Sequence, residues 1–204
     1  MRKTILILII ALVLVPAGLF AGIFNLNIGA TAQYKFPVTD VEDGMTDIEN
    51  WAFGPDLRLR ILFAEVGVAG LYTKLADDNA VFGSGHQLSG LLTGGVSFDL
   101  LGFLRLGLGM GPRMEVLFSE DFGSSKIIVG GVDIVDATFG DAFMNAPLTY
   151  RATADFNLGR FLIGANYTID SGGFTFENLD AEKLMPDFDN NKGTFGVSAL
   201  FRIF

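Results

Sequence analysis

The chain of 204 residues has no cysteine and a single histidine, and beyond its first twenty residues it has no apolar run long enough to cross a bilayer as a helix. Without cysteine, disulfides, a thiolate metal site and lipid attachment through sulfur are all excluded. Cations are also scarce, with 14 Lys plus Arg against 23 Asp plus Glu and a net charge of -9. Nucleic acid is therefore excluded as a partner, because phosphate recognition needs a basic footprint. What the chain has in quantity is Phe (20 residues) and Gly (26 residues), and this apolar content has to be placed somewhere.

The first segment accounts for part of it. Arg2 and Lys3 precede an apolar core from Ile5 to Val15, a break at Pro16, and small residues ending at Ala21. This is the pattern of a secretory signal peptide, residues 1–21, cleaved after Ala21. Its core is shorter than the about 20 residues a membrane anchor needs. Residues 22–204 are then expected to form one exported domain. A chain this hydrophobic buries its apolar rows in a soluble sandwich or turns them outward in a membrane barrel.

The stretch FLRLGLGMGPRME, residues 103–115, shows which pattern the domain uses. Leu104, Leu106, Leu108, Met110, Pro112 and Met114 occupy the even positions, while the odd positions hold Phe103, Arg105, Gly107, Gly109, Gly111, Arg113 and Glu115. A period of two gives a strand with one apolar wall and one wall of ions and glycine. The same alternation recurs at 24–34, 51–63, 66–72, 88–98, 148–156, 161–169 and 195–203. The total is eight strands, most near the 9 to 11 residues of a tilted membrane strand. Three connections are short, around 64–65, 100–102 and 157–159. Four are long, at 35–50, 74–86, 117–146 and 171–192. Short turns on one side and long loops on the other predict an all-β, eight-stranded antiparallel up-and-down transmembrane barrel. A Greek-key sandwich has no reason to sort its connections this way. The segment KIIVGGVDIVDATF at 126–139 is apolar enough to extend two strands as a hairpin, but it lacks the clean alternation of a spanning pair.

Charge follows the same division. The lysines after the signal (Lys35, Lys74, Lys126, Lys183, Lys192) fall in the long loops, as do 17 of the 23 acids. The arginines Arg58, Arg60, Arg105, Arg113, Arg151, Arg160 and Arg202 lie in strands or short turns, on the side opposite the apolar row. So do Asp56, Glu65, Asp99, Glu115, Asp155 and Asp170. Turning an Arg to mid-bilayer lipid costs about 2–4 kcal/mol, so these groups are expected to share the lumen as an ion-pair network. The outward aromatics form two girdles. Tyr34, Trp51, Phe53, Tyr72, Tyr150, Tyr167 and Phe195 lie beside the long loops, and Phe24, Phe63, Phe98, Phe156, Phe161 and Phe201 lie beside the short turns. All four tyrosines and the sole tryptophan are on the loop side, where a polar tip reaches lipid headgroups.

With these features and a terminal Phe204, residues 22–204 resemble the small bacterial outer-membrane barrels of the OmpA/OmpX and OmpW type. The resemblance implies outer-membrane localisation and insertion by the barrel-assembly machinery, which reads a C-terminal aromatic. Outward parity selects Phe201 and Ile203, which leaves Phe204 off phase unless the last strand carries a bulge. OmpW-like barrels have an apolar lumen for hydrophobic small molecules, and the charged interior expected here departs from that.

Eight strands enclose only enough room for side chains. The expected function is therefore structural, or surface interaction with an extracellular partner through the acidic loops, with no enzyme activity, cofactor or metal and with membrane lipid as the surroundings. The alternative is a narrow channel for ions or small solutes, and a third possibility is a lipid-directed enzyme. For that last case, the sole histidine, His86, is expected at the end of a loop, and Ser89 falls on the opposite face from Leu88, so the pairing of His86 with Ser89 fails. Gly107, Gly109 and Gly111 lack the strand-turn-helix setting of a nucleotide loop and are expected to make room for large side chains opposite. Asp187, Asp189 and Asn191 alternate as calcium ligands do, but the glycine and the twelfth-position Glu of that loop are missing.

Overall fold

A computed structural model of the protein describes residues 24–35, 46–79, 83–129, 132–133, 138–186, 188 and 193–204. The segment expected to be a signal peptide, and Asp187, Asp189 and Asn191, lie outside the described residues.

Alternating sequence produces antiparallel strands throughout. These are β1 (Phe24–Lys35), β2 (Trp51–Ile61), β3 (Ala64–Asn79), β4 (Gly83–Leu100), β5 (Leu104–Ser119), β6 (Ser125–Val129), β7 (Val132–Asp133), β8 (Leu148–Leu158), β9 (Phe161–Asp170) and β10 (Thr194–Arg202). One short helix, α1 (Phe139–Asn145), precedes β8, and a Thr138–Asp141 capping box satisfies its first turn. Eight strands close a cylinder in the order β1-β2-β3-β4-β5-β8-β9-β10, with β10 returning to β1. Closure pairs every strand on both sides and leaves no open edge. β6 and β7 are a hairpin hung on the upper end of β5, not spanning strands, so the barrel has eight staves.

The register preserves the parity of the sequence. Ile28, Leu57, Val68, Leu92, Leu108, Ile163 and Val197 stand exposed on the outer face, whereas Asn27, Asp56, Arg58, Arg105, Arg151, Asp155 and Asn166 are buried within. A soluble monomer tolerates an apolar patch of a few hundred Å². Here the apolar surface runs around the whole cylinder, and only hydrocarbon accommodates it. The molecule is an inside-out transmembrane barrel.

The strands differ from expectation in length. β3, β4 and β5 run to 16, 18 and 16 residues, and most of the loop expected at 74–86 is strand. Glycines at 83 and 85 masked the alternation there, yet Leu75 pairs with Gly85 and Lys74 with His86. Two short-turn residues also correct the sequence reading. Phe103, at an odd position with the inward row, lies in the turn before β5 and stacks outward on Phe156 at 6.4 Å. Arg160, expected inward, is exposed in the Gly159–Arg160 turn, because turn residues leave the pleat that parity describes.

At the seam, Ile203 N–H donates to the Leu26 carbonyl at 2.8 Å, and Leu26 N–H donates to the Phe204 carbonyl at 3.0 Å. Two residues thus oppose one, as in a bulge. Phe204 stacks on Phe24 at 5.1 Å.

Candidate functional site

The lumen is where the sequence concentrates its chemistry, and β2 and β8 supply its centre from opposite walls. Asp56 and Arg58, two residues apart, both point inward from β2. Arg151 and Asp155 do the same from β8. Arg58 Nη2 donates to Asp56 Oδ2 at 2.8 Å, and its Nη1 crosses the lumen to Asp155 Oδ2 at 2.7 Å. Arg151 Nη2 crosses the other way to Asp56 Oδ2 at 2.6 Å. Ser198 Oγ accepts a further bond from Arg58 at 3.0 Å. Buried charge is tolerated only when paired and hydrogen-bonded, and in this cluster every charge is paired, with Arg151 Nε and Asp155 Oδ1 the atoms left without a protein partner.

Below it, towards the short turns, Asp99 gathers two arginines, with Arg60 Nη2 at 2.6 Å and Arg105 Nε at 2.9 Å. Arg202 enters through a neutral relay, donating to Asn157 Oδ1 at 2.7 Å, while Asn157 Nδ2 donates to Asp99 at 3.3 Å. Glu65 accepts from Ser97 Oγ at 2.8 Å. Above the centre, Arg113 meets Asp170 at 2.7 Å and Glu115 at 3.5 Å, and Thr149 Oγ1 donates to Asp170 at 2.6 Å. Ten of the thirteen ionisable residues singled out in the sequence thus stand in direct ion pairs, in three tiers, while Glu65 and Arg202 are held by neutral side chains and Arg160 is exposed in its turn.

Amides and hydroxyls fill much of the wall made by β1, β9 and β10. Gln33 Nε2 donates to Asn166 Oδ1 at 3.1 Å, and Asn166 Nδ2 donates to Thr31 Oγ1 at 3.2 Å. Their inward parity was the signal in the sequence. Facing the arginines from β3, β4 and β5 are Gly67, Gly95, Gly107 and Gly109. A Cβ on Gly107 would come within 2.6 Å of Thr153 Oγ1 and one on Gly67 within 2.7 Å of Thr93 Oγ1, so the absent side chains make room for the hydroxyls opposite. The space left in this part of the lumen is about 10 Å³, room for about one water. Arg151 Nε and Thr153 Oγ1, on residues lining it, bond no protein atom.

Higher up, the lumen changes character. Leu75, Leu117 and Ile128 form a buried apolar cluster, with Ile128 contributed by the hairpin strand β6. The hairpin therefore closes the upper mouth on that side.

The girdle residues line up along both rims. Beside the turns, Phe63 stacks on Phe98 at 6.3 Å and Phe161 meets Phe201 edge-on at 5.3 Å, while Phe156 carries Phe103. Beside the loops, Trp51 lies between Tyr34 at 5.1 Å and Phe53 at 6.0 Å. Tyr34 is buried among these neighbours, whereas Phe53, Tyr72, Tyr167 and Phe195 are exposed. Tyr150 donates to the Leu184 carbonyl of the last long loop.

His86 is not in a loop. It sits in β4 on the outer face, hydrogen-bonded through Nδ1 to Tyr72 OH at 2.8 Å and stacked on Phe122 at 4.4 Å. Ser89 faces inward, as its parity requires. Ser84, which shares the outer side with His86, donates to Glu120 at 3.0 Å. Among the described residues, no group of three His, Cys, Asp or Glu side chains is placed to hold a metal ion.

No family model matches the chain, and no curated protein matches it in sequence. Solved structures align with it at low identity. Ail of Yersinia pestis in complex with the heparin analogue sucrose octasulfate aligns at 18% identity over 88% of this chain and 97% of its own, with a TM-score of 0.48. Ail in a phospholipid bilayer nanodisc aligns at 17% identity over 88% and 99%, with a TM-score of 0.44. Neisserial surface protein A aligns at 15% identity over 88% and 95%, with a TM-score of 0.42. The barrel is defined by its own strand pairing, which has the architecture of the small eight-stranded outer-membrane barrels.

Proposed function

We propose that the protein is a non-conducting outer-membrane barrel whose charged lumen is a structural plug, and that its activity resides at the membrane surface in its acidic loops. The supporting observation is the pair of ion bridges from β2 to β8, which with the facing glycines leaves space for only about one water. Exposed Asp47, Glu120, Asp121, Glu177 and Glu182 give the loop side an anionic surface. Such a surface suits a cationic partner and repels sulfated or phosphorylated polyanions. His86 is engaged by Tyr72 and Phe122, and Ser84 on the same side by Glu120, so His86 is assigned no catalytic role.

Planar-bilayer recording tests the plug. The wild-type protein gives no steady openings, and openings appear only when Asp56 or Arg58 is replaced by alanine. Steady wild-type openings would overturn this reading in favour of a narrow channel. A lipid-modifying activity abolished by His86→Ala would overturn its non-enzymatic part.

A further inference from the structure

The outer surface is not uniformly convex. Where β2, β3, β4 and β5 approach the loop side, Gly70 and Gly90 are direct cross-strand partners, and both point outward. A Cβ built on Gly90 meets nothing within 4 Å, and one on Gly70 meets only Pro55 Cγ at 3.8 Å. The belt therefore has a recess at this point. One bank is formed by Phe53, Tyr72 and Leu88. The other is Met114, Val116 and Ile127, raised by Ala142 of α1, which packs on Met114 and Ile127 outside the barrel. The resulting groove has a volume of about 540 Å³ and is almost wholly apolar. That size lies within the about 300–1,000 Å³ of small-molecule sites.

We propose that this groove is a lipid site that holds one acyl chain of a lipid in the adjacent leaflet, gripped between α1 and the Phe53–Tyr72 bank. The inference rests on the membrane reading above. The occupant follows from continuity. The groove opens into the exposed row Leu88, Leu92 and Val96, which faces hydrocarbon, so the molecules able to enter it are the surrounding chains. A recess left unfilled in hydrocarbon forfeits dispersion contacts along its whole lining, which favours occupancy. The groove differs from the ordinary belt in having walls. Elsewhere a chain touches one face of the cylinder, whereas here it touches three sides. Its upper end is bounded by the Tyr72–His86 hydrogen bond and the His86–Phe122 stack, at the level where headgroups begin.

The test uses the full-length protein in vesicles of phosphatidylethanolamine and phosphatidylglycerol containing a trace of phosphatidylethanolamine with a diazirine on its acyl chain. After illumination, labelled peptides are mapped by mass spectrometry. Label on Tyr72, Met114, Val116 and Ile127 several-fold above that on Val66 and Val68 is the expected result. Gly90→Phe, which fills the groove, removes the enrichment, and Gly94→Phe, outward on the same strand but outside the groove, leaves it intact. Gly70→Leu fills the groove from β3 and gives the same loss should Gly90→Phe fail to fold. Even labelling around the belt, or enrichment unchanged in both filling variants, overturns the lipid site while leaving the membrane barrel standing. Label excluded from these residues while the rest of the belt is labelled overturns it in favour of a second protein copy covering the groove. Absence of label from the belt altogether overturns the membrane reading and the lipid site with it.

Discussion

The two sides of the cylinder are built differently. β3, β4 and β5 form a tall wall of 16, 18 and 16 residues, while β1, β2, β8, β9 and β10 form a low wall of 9 to 12. At mid-lumen the low wall supplies bulk and charge, namely Asp56, Arg58, Arg151 and Asp155, and the tall wall supplies glycine. Above that level the tall wall turns apolar and carries Leu75 and Leu117 inward beneath the hairpin. One wall therefore fills the space that the other vacates. Packing density in a tube this narrow is reached by complementarity across the lumen, not by an even distribution of side-chain volume.

The sharpest way to break this arrangement is to remove the anion that the two low-wall arginines share. Asp56→Ala strands Arg151 in a buried site, leaves Arg58 with Asp155 alone, and should cost about 3–5 kcal/mol of stability, read as a lower urea midpoint in detergent. The same change at an exposed pair on the tall wall is the contrast. Lys74→Ala removes a 3.3 Å bridge to Glu49 at a site where the lysine is 46% exposed, and should cost under about 1 kcal/mol. Equal losses at the two sites would mean that the low wall holds no privileged charge.

A smaller effect tests the glycine half of the comparison. Gly107→Val pushes into Thr153 and should cost about 1–3 kcal/mol through overpacking. Gly94→Val, outward into open space, should be neutral within about 0.5 kcal/mol in the same titration. The turns offer a change of opposite sign. Leu101 has a φ of 53° in the turn joining β4 to β5, a left-handed conformation that costs a side chain about 1–2 kcal/mol. Leu101→Gly should therefore raise the unfolding midpoint, and no rise would show that exposed Leu101 contributes contacts of its own.

The smallest effect concerns the loop element that builds the bank of the groove. Hydrogen bonds from the Thr138 side chain, then from its backbone, hold the Asp141 carboxyl below its ordinary value of 3.8. A carboxylate depressed in the folded state contributes stability above its unfolded pKa and loses it as pH falls through the folded one. Hydrogen-exchange protection factors at α1, which remove the intrinsic pH dependence of amide exchange, should therefore be unchanged from neutral pH down to about 5 and fall in the acid range below 3.8. Asp141→Asn should remove most of that pH dependence.

Much of this architecture was legible in advance, and the boundary of what was legible has a physical cause. Parity assigns a face to each residue of a regular strand, so the inward position of Arg58 or Asp155 and the outward position of Leu108 follow from counting. Parity lapses where the pleat does. Phe103, Arg160 and Phe204 lie in turns or at a bulge, and their placement required the backbone. The extension of β3 and β4 was hidden because Gly83 and Gly85 carry no side chain to mark the period. Partners were less legible than faces. Which arginine meets which acid depends on the stagger of strands around the cylinder, and that stagger sends Arg58 across to Asp155 while leaving Glu65 to Ser97. The recess at Gly70 and Gly90 arises from that register together with a helix folded down against the outside of the barrel, neither of which has a signature along the chain.

The stack of Phe204 on Phe24 joins positions separated by about 180 residues. Because the first stave is locked to the last, no intermediate of the assembly has both of its flanks satisfied, and each growing sheet keeps two rows of bare amides until the ring shuts. With nothing else to pair those rows, insertion is a concerted event, with the energetic reward withheld until the final strand engages.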